Sequence, residues 1–301
     1  MTIESSSLRM QKVKEELVKG LLLFFTLISV ATTVGIILVL SLETYHFFQH
    51  IPLSEFFGSL EWAPLLDPRH FGIWPLICGT VLVAAIAAIF AIPLGVGTAI
   101  YLGEYASMRT RAVIKPLVEL LAGIPTVVYG YFGVTVVTPF LTRLFPDTEV
   151  FNAASAGIVV AIMILPMIAS LCDDALRAVP DTMRDAGYAL GATKLEVSVQ
   201  VILPAAISGI LASFILAISR AFGETMAVSL AAGSTPKLTL NPLESIQTMT
   251  AYIVQVSLGD TPHGTIEYQS IFVVGMMLFV ITCIMNLLAD WIIRRYRAKY
   301  E

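Results

Sequence analysis

Charge is what this sequence has least of. Of 301 residues, 18 are Lys or Arg and 22 are Asp or Glu, 13% together, where a soluble domain carries about a quarter. A chain so poor in charge cannot clothe a water-facing surface, which excludes an ordinary soluble fold. Cysteine is scarce as well. Cys78, Cys172 and Cys283 stand in or at the end of apolar runs without C-x-x-C spacing, so neither a disulfide framework nor a cysteine metal site is expected. The four histidines (His46, His50, His70, His263) lie in or beside polar segments, and H-E-x-x-H is missing. Paired aspartates within the apolar runs are missing too, so an intramembrane enzyme would lack its metal ligands and its acid–base groups. No G-x-x-x-x-G-K-[ST] phosphate loop occurs, so ATP hydrolysis by this chain is not expected. No segment reads as a separate soluble domain, a low-complexity region or an internal repeat.

What is present is apolar and long. Six charge-free runs occur: Gly20–Leu42, Phe71–Gly103, Leu120–Thr142, Val150–Cys172, Val197–Ser219 and Tyr268–Ala289. Each reaches the ~20 residues a helix needs to cross a bilayer core. The fold class is therefore all-α, a polytopic membrane protein with six spans. The expected organisation is a polar arm over 1–19 and a six-span domain over 20–293, with a tail over 294–301. The spans fall at about 20–42, 73–103, 117–142, 152–172, 200–230 and 268–292, and the fourth and fifth are joined by a polar loop over 173–199. The run at 20–42 is too long for the apolar core of a signal peptide and no A-x-A-like site follows it, so it reads as a retained span. Fourteen of the 18 Lys and Arg fall on the side that holds both ends of the chain, three on the other (Arg69, Arg143, Lys237), and Arg220 within a span. The positive-inside rule then places both termini in the cytoplasm.

The spans carry breakers: Pro93 with Gly95 and Gly97, Gly123 with Pro125, Pro139, and Pro166. In lipid, these are tolerated where neighbouring helices or a water-lined cavity satisfy the freed backbone groups. The first outer segment, Glu43–His70, is rich in aromatics (Tyr45, Phe47, Phe48, Phe56, Phe57, Trp62) and reads as an interfacial belt, with a docking surface as the alternative. Arg143–Glu149 reads as a tight turn, and Leu243–Val256 as a helix within the last outer segment.

The 173–199 loop reads as helix, turn, helix. Asp181 after Pro180 is an N-cap candidate and Gly191 a left-handed C-terminal residue. Thr193-Lys194-Leu195-Glu196 is a capping box. A helix of about ten residues, ~15 Å long, held between spans by a glycine turn makes a rigid knob. Its Asp185-Ala186-Gly187, Gly191, Val201, Leu203 and Pro204 resemble the E-A-A-x-x-x-G…I-x-L-P loop of ATP-binding-cassette importer permeases. Asp185, Gly187 and Val201 depart from that pattern, and Gly187 should loosen the helix by ~1 kcal/mol relative to Ala. The likeness extends over Ala91–Ala106, Val118–Val134, Ser219–Val228 and Met249–Gly264, which resemble the C-type permease subunit of the phosphate-specific (Pst) transporter. Tyr129 and Glu224-Thr225-Met226-Ala227 favour the C-type over the sister A-type.

That resemblance implies a type I importer permease (MetI-like) fold in a bacterial inner membrane. It also implies an A-type permease partner, two ATP-binding subunits carrying ATP and Mg and gripping the knob, and an extracytoplasmic phosphate-binding protein. No cofactor is expected on this chain, and no nucleic acid partner. Within the spans, Arg220 and Glu224 are the exception to apolarity, and ionisable groups at that depth mark transport paths or buried pairs. Arg220 lies 16 residues beyond Pro204, about 24 Å along a continuous helix, hence in the outer half of the membrane. An arginine fork matches phosphate oxygens, with Glu224 as its counter-charge. The alternative is a structural ion pair, although acid-before-base is the favourable order on a helix and here the Arg comes first. Thr126 and Tyr129 are candidate path-lining groups, and Glu119 reads as interfacial. One cation cannot neutralise phosphate, so a second permease should supply another. Sulfate or molybdate importers, and ion-coupled secondary transporters with broken helices, remain as competing readings.

Overall fold

The computed structural model describes residues 2–297, with side chains from 14 to 295. Met1 and residues 298–301 of the expected tail lie outside the described residues. Helix α1 (Thr2–His50) runs unbroken through the expected arm and first span. It is followed by α2 (Leu53–Gly58) and a two-stranded antiparallel pair, β1 (Trp62–Ala63) with β2 (His70–Phe71), in which Trp62 faces Phe71 and Ala63 faces His70. Helix α3 (Trp74–Ile100) ends in a wider π turn, Tyr101–Tyr105, closed by the Ala106 N–H on the Tyr101 carbonyl at 2.8 Å.

Next come α4 (Met108–Ala122), α5 (Thr126–Phe132) and, across a second π turn, α6 (Thr138–Leu144). Then follow α7 (Ala153–Arg177), α8 (Asp181–Ala189), α9 (Lys194–Glu196), a π stretch Val197–Ile202 and α10 (Leu203–Ala205). The chain ends with α11 (Ile207–Phe222), α12 (Met226–Ala231), α13 (Met249–Ser257) and α14 (Ile266–Arg297).

Among the described residues, five helices are long and apolar enough to cross a membrane; a sixth crossing results when the bent pair Lys194–Ala205 and Ile207–Phe222 counts as one. Two expected spans are thus redrawn. The third, expected at 117–142, is divided at Gly123–Pro125, where the proline removes a backbone donor; the crossing helix is Thr126–Leu144 and α4 stands apart. The fifth, expected at 200–230, bends by 71° at Ala206 and breaks again at Gly223–Thr225.

The main core is built where α3 lies along α7. Small residues on both helices permit this. A Cβ on Gly95 would sit 2.6 Å from Ile168 Cγ2, and one on Gly157 would sit 2.5 Å from Ile86 Cγ2. Ala84, Ala87, Ala91, Ala156, Val159 and Val160 fill the remainder, all at 2% exposure or less. Pro93 and Pro166 sit inside these helices without ending them.

A second cluster lies at the end of the bundle away from the knob and corrects the aromatic-belt reading. Phe47, Phe56, Trp62 and Phe71 are at most 2% exposed and pack edge-to-face, with Phe47–Phe71 centroids 5.4 Å apart and Trp62–Tyr252 5.0 Å apart. These rings form a small core that joins α1, α2, the β pair, α13 and α14; Tyr45 and Phe57 remain exposed. The Leu243–Val256 helix is also redrawn. Its first half is extended, and α13 begins after Thr248, whose hydroxyl caps the Ala251 N–H. The Arg143–Glu149 turn does more than connect: Glu149 accepts from the Ser245 N–H at 2.9 Å and so pins the extended stretch. There Lys237 pairs with Glu244. The Lys237 ammonium, with help from Thr239 and Asn241, holds the Glu244 carboxyl below its usual range.

The α3–α7 contact yields a contrast on one helix. Gly95→Ala and Gly157→Ala should each destabilise by about 1–3 kcal/mol through overpacking. Gly97→Ala, which meets nothing within 4 Å, should be neutral or stabilising because Ala is the better helix former by about 1 kcal/mol. Thermal unfolding midpoints of the three variants in one detergent check this; equal midpoints would refute the close-packing account.

Candidate functional site

Two regions carry the candidate residues: the break after α11 and the knob between α7 and α11. Helix α11 buries Ile210, Ser213, Ala217 and Ala221, a three-and-four spacing that sets one face against the bundle. Arg220, at the edge of that face, is exposed, as is Leu216 one turn earlier. None of the ion pairs among the described residues includes Arg220. Because of the bend at Ala206, Arg220 is 13 residues into a separate helix, about 20 Å from the bend. The straight 24 Å run up from Pro204 does not exist.

Glu224 is not brought onto Arg220. Its Oε1 accepts from the Ala227 N–H at 3.1 Å, in the first turn of α12, and its carbonyl accepts from the Thr250 hydroxyl at 2.8 Å. These bonds hold the Gly223–Thr225 break open between two short helices, where backbone groups would otherwise go unpaired. Tyr129 is buried at 5% exposure, and its hydroxyl donates to the Leu121 carbonyl at 2.6 Å across the Gly123–Pro125 break. Its proton is therefore spent on the backbone. Thr126 starts α5 and is partly exposed. Glu119 sits on α4 near Arg177, Lys115 and Arg111.

The knob forms as its sequence suggests. Gly191 adopts φ +82°, and the Gly191 and Ala192 N–H groups return to the Tyr188 and Gly187 carbonyls at 2.9 and 3.2 Å, a left-handed helix stop that only glycine takes without cost. Thr193 and Glu196 close both halves of the capping box. Pro180, not Asp181, occupies the N-cap position, and Asp181 is the first helical residue. Gly187 has a packing reason beyond helix propensity: a Cβ there would lie 2.9 Å from Val197 Cγ2. Asp185 and Ala186 face solvent, with Met183, Tyr188, Leu190 and Leu195 exposed around them. Leu203 and Pro204 form the short α10, just before the bend.

The structure adds charged residues that sequence reading passed over. Asp173, fully buried at the end of α7, receives Arg111 and, at 3.1 Å, Lys115; Lys115 also reaches Asp174 at 3.3 Å. Burial alone would lower the Lys115 pKa, but the bonds to Asp173 and Asp174 outweigh it and leave the ammonium above the usual lysine range. Arg184 donates to the Leu176 and Val179 carbonyls at 2.8 and 2.6 Å, and pairs with Glu104 at 3.2 Å and Asp181 at 3.1 Å. A signal was available in each case. Arg111 and Lys115 are spaced i,i+4, facing an acid pair that ends an apolar run; Glu104 is the first charge after another.

With this geometry in hand, the chain can be set beside known proteins. Residues 91–298 match the family described as binding-protein-dependent transport system inner membrane component. The probable ABC transporter permease protein YqgH of Bacillus subtilis (strain 168) is 34% identical over 271 residues, 89% of this chain and 87% of its own length. The phosphate transport system permease protein PstC of Mesorhizobium japonicum is 34% identical over 264 residues, covering 81% and 80%. That of Haemophilus influenzae is 32% identical over 264 residues, covering 81% and 83%. Among solved structures, the inward-facing MetNI methionine ABC transporter superposes with a TM-score of 0.56 at 16% identity, over 75% of this chain and 94% of that one. A bacterial ABC transporter involved in alginate import gives 0.58 at 16%, over 86% and 95%. At such identities the structures speak for the fold alone, while the sequence matches establish kinship. The chain belongs to the family of binding-protein-dependent transport system inner membrane components.

Proposed function

We propose that this chain is the membrane permease of an ATP-driven, binding-protein-dependent importer and lines a path for inorganic phosphate. The supporting observation is Arg220, an exposed arginine on an otherwise apolar helix, outside every ion pair among the described residues and next to a helix break. A guanidinium left unpaired in apolar surroundings is costly, and a passing oxyanion compensates it bidentately. The relatives whose printed names specify phosphate support the choice of anion.

Phosphate near neutral pH carries between one and two negative charges, so one arginine leaves a remainder. A second, A-type permease supplies the missing cation across the path. Glu224, engaged with α12, holds the break that presents Arg220 and supplies negative charge nearby when no anion is bound. Thr126 and Tyr129 line the neighbouring wall. The exposed apolar residues of the knob, Met183, Tyr188, Leu190 and Leu195, together with Asp185, Ala186, Gly187 and Gly191, suit docking into a pair of ATP-binding subunits, where ATP and Mg reside. An extracytoplasmic phosphate-binding protein delivers substrate to the opposite face, and both termini lie in the cytoplasm. The chain itself catalyses nothing.

Two outcomes test this reading. Arg220→Gln should abolish phosphate uptake, a loss of at least about 100-fold for removing a charged bidentate contact, while the protein still inserts and assembles. Normal uptake by that variant removes the path role. In vesicles carrying the purified complex, uptake should require ATP and survive a proton uncoupler; uptake that follows the proton gradient instead would indicate a secondary transporter. Competition by excess sulfate or molybdate in the same vesicles separates phosphate from other tetrahedral oxyanions.

A further inference from the structure

We propose that the cytoplasmic knob drives the second span through the π turn Tyr101–Tyr105, with Arg184 and Glu104 as the positioning residues that carry the motion; this rests on the importer reading above. Three routes lead out of the knob. Along the chain towards Arg220, the capping box passes into the π-wound Val197–Ile202 and then the 71° bend at Ala206. A bend of that kind absorbs displacement by flexing, so it transmits a push poorly. Backwards along the chain, Arg184 reaches across Pro180 to the Leu176 carbonyl in the last turn of α7 and the Val179 carbonyl just beyond it, which braces the knob against the end of α7 without fixing its orientation.

The third route crosses space. Arg184 Nη2 meets Glu104 Oε1 at 3.2 Å, with side chains only 16% and 6% exposed, and Lys194 Nζ lies 5.0 Å from the centre of the Tyr105 ring. Arg184 is on α8 and Lys194 on α9, so adjacent residues of the π turn are held from both sides of the Gly191 turn. Two separated ties fix orientation as well as position, where one would act as a pivot. Arg111 Nη1 adds a third hold, on the Leu102 carbonyl at 3.2 Å.

The knob's own design agrees. Of the nine residues of α8, Arg184 and Gly187 alone are not exposed. The first reaches α3, and the second lets Val197 close in. Guanidinium forks hold several acceptors in fixed directions, and pairs this sheltered are screened little by salt. A π turn is also a frequent mark of function within a helix. Motion received at Glu104 and Tyr105 enters α3, which is locked to α7 at Gly95 and Gly157, and the α3–α7 pair moves as a body.

The test uses the whole importer, this chain with its partner subunits, reconstituted in liposomes with external phosphate-binding protein. Phosphate taken up per ATP hydrolysed is the readout. Glu104→Gln keeps both backbone bonds of Arg184 yet strips the tie of its carboxylate charge, leaving a hydrogen bond to a neutral amide, and should lower that ratio about tenfold with the ATPase subunits still co-purifying. Arg184→Gln, which also gives up the bonds to Leu176 and Val179, should lower the ratio at least as far, and the double variant should be no worse than Arg184→Gln alone, since that change already cuts the tie to Glu104. Ala206→Gly, which loosens the bend, should leave the ratio unchanged. An unchanged ratio in Glu104→Gln, a lowered ratio in Ala206→Gly alone, or loss of the ATPase subunits from Glu104→Gln each overturns the proposal. Wild-type liposomes without ATP-driven phosphate uptake would overturn the importer reading, and this proposal with it.

Discussion

The approach of α3 to α7 sets the geometry of everything else. Two helices can lie this close only where one presents no side chain at the crossing, and Gly95 and Gly157 provide that from opposite partners against Ile168 and Ile86. In a bilayer the hydrophobic effect does not press helices together, so packing of small residues has to do it. From this pair α11 is hung on α7 by Gly209 against Ala175 and by the Cys172–Ser213 contact at 2.9 Å, and α12 is packed against α5 at Gly130. The break that presents Arg220 is therefore a place in a rigid frame.

Charge is distributed according to the same logic. Where α3, α4, α7 and α8 meet on the knob side, the sheltered ionisable groups are paired: Arg111 and Lys115 with Asp173, Arg184 with Glu104. Buried pairs add little net stability but are costly to break singly, which suits a joint that must keep its shape while it moves. At Arg220 the reverse holds. The guanidinium is left without a carboxylate while Glu224 is spent on α12, so the frame is neutralised at its joints and left charged at the break after α11. Asp173 Oδ1 remains buried without a hydrogen-bond partner among the described residues, the one uncompensated atom of the joint.

Much of the fold was legible. Apolar runs of 22 to 33 residues located the spans, and the knob's turn was readable because Gly191 and the Thr193–Glu196 box are local devices whose physics fits in a few residues. What was not legible depends on neighbours far along the chain. The bend at Ala206 carries no proline at its apex, so a continuous apolar run from Val197 hid it. The outer rings read as an interfacial belt because nothing local reveals that Tyr252, 190 residues beyond Trp62, completes their core. Gly187 looked like a weakness by helix propensity, and it is a clearance for Val197. Arg220 and Glu224 were located as the outstanding charges, but their spacing suggested a pair; the break at Gly223 turns them apart.

Helix α1 stands differently from the rest. Its C-terminal end is clamped where Phe47 enters the aromatic core, and along its length it rests on α14, with Leu40 near Gly275 and Thr44 on the Phe272 carbonyl at 3.5 Å. Towards the other end, its apolar residues from Leu17 to Ile28 face outward. A mast stepped at one end and stayed along one side takes its lean from the medium around it. Its tilt should accordingly answer to the thickness of the lipid, while the central bundle, gripped by its own glycines, keeps its angles whatever membrane it sits in.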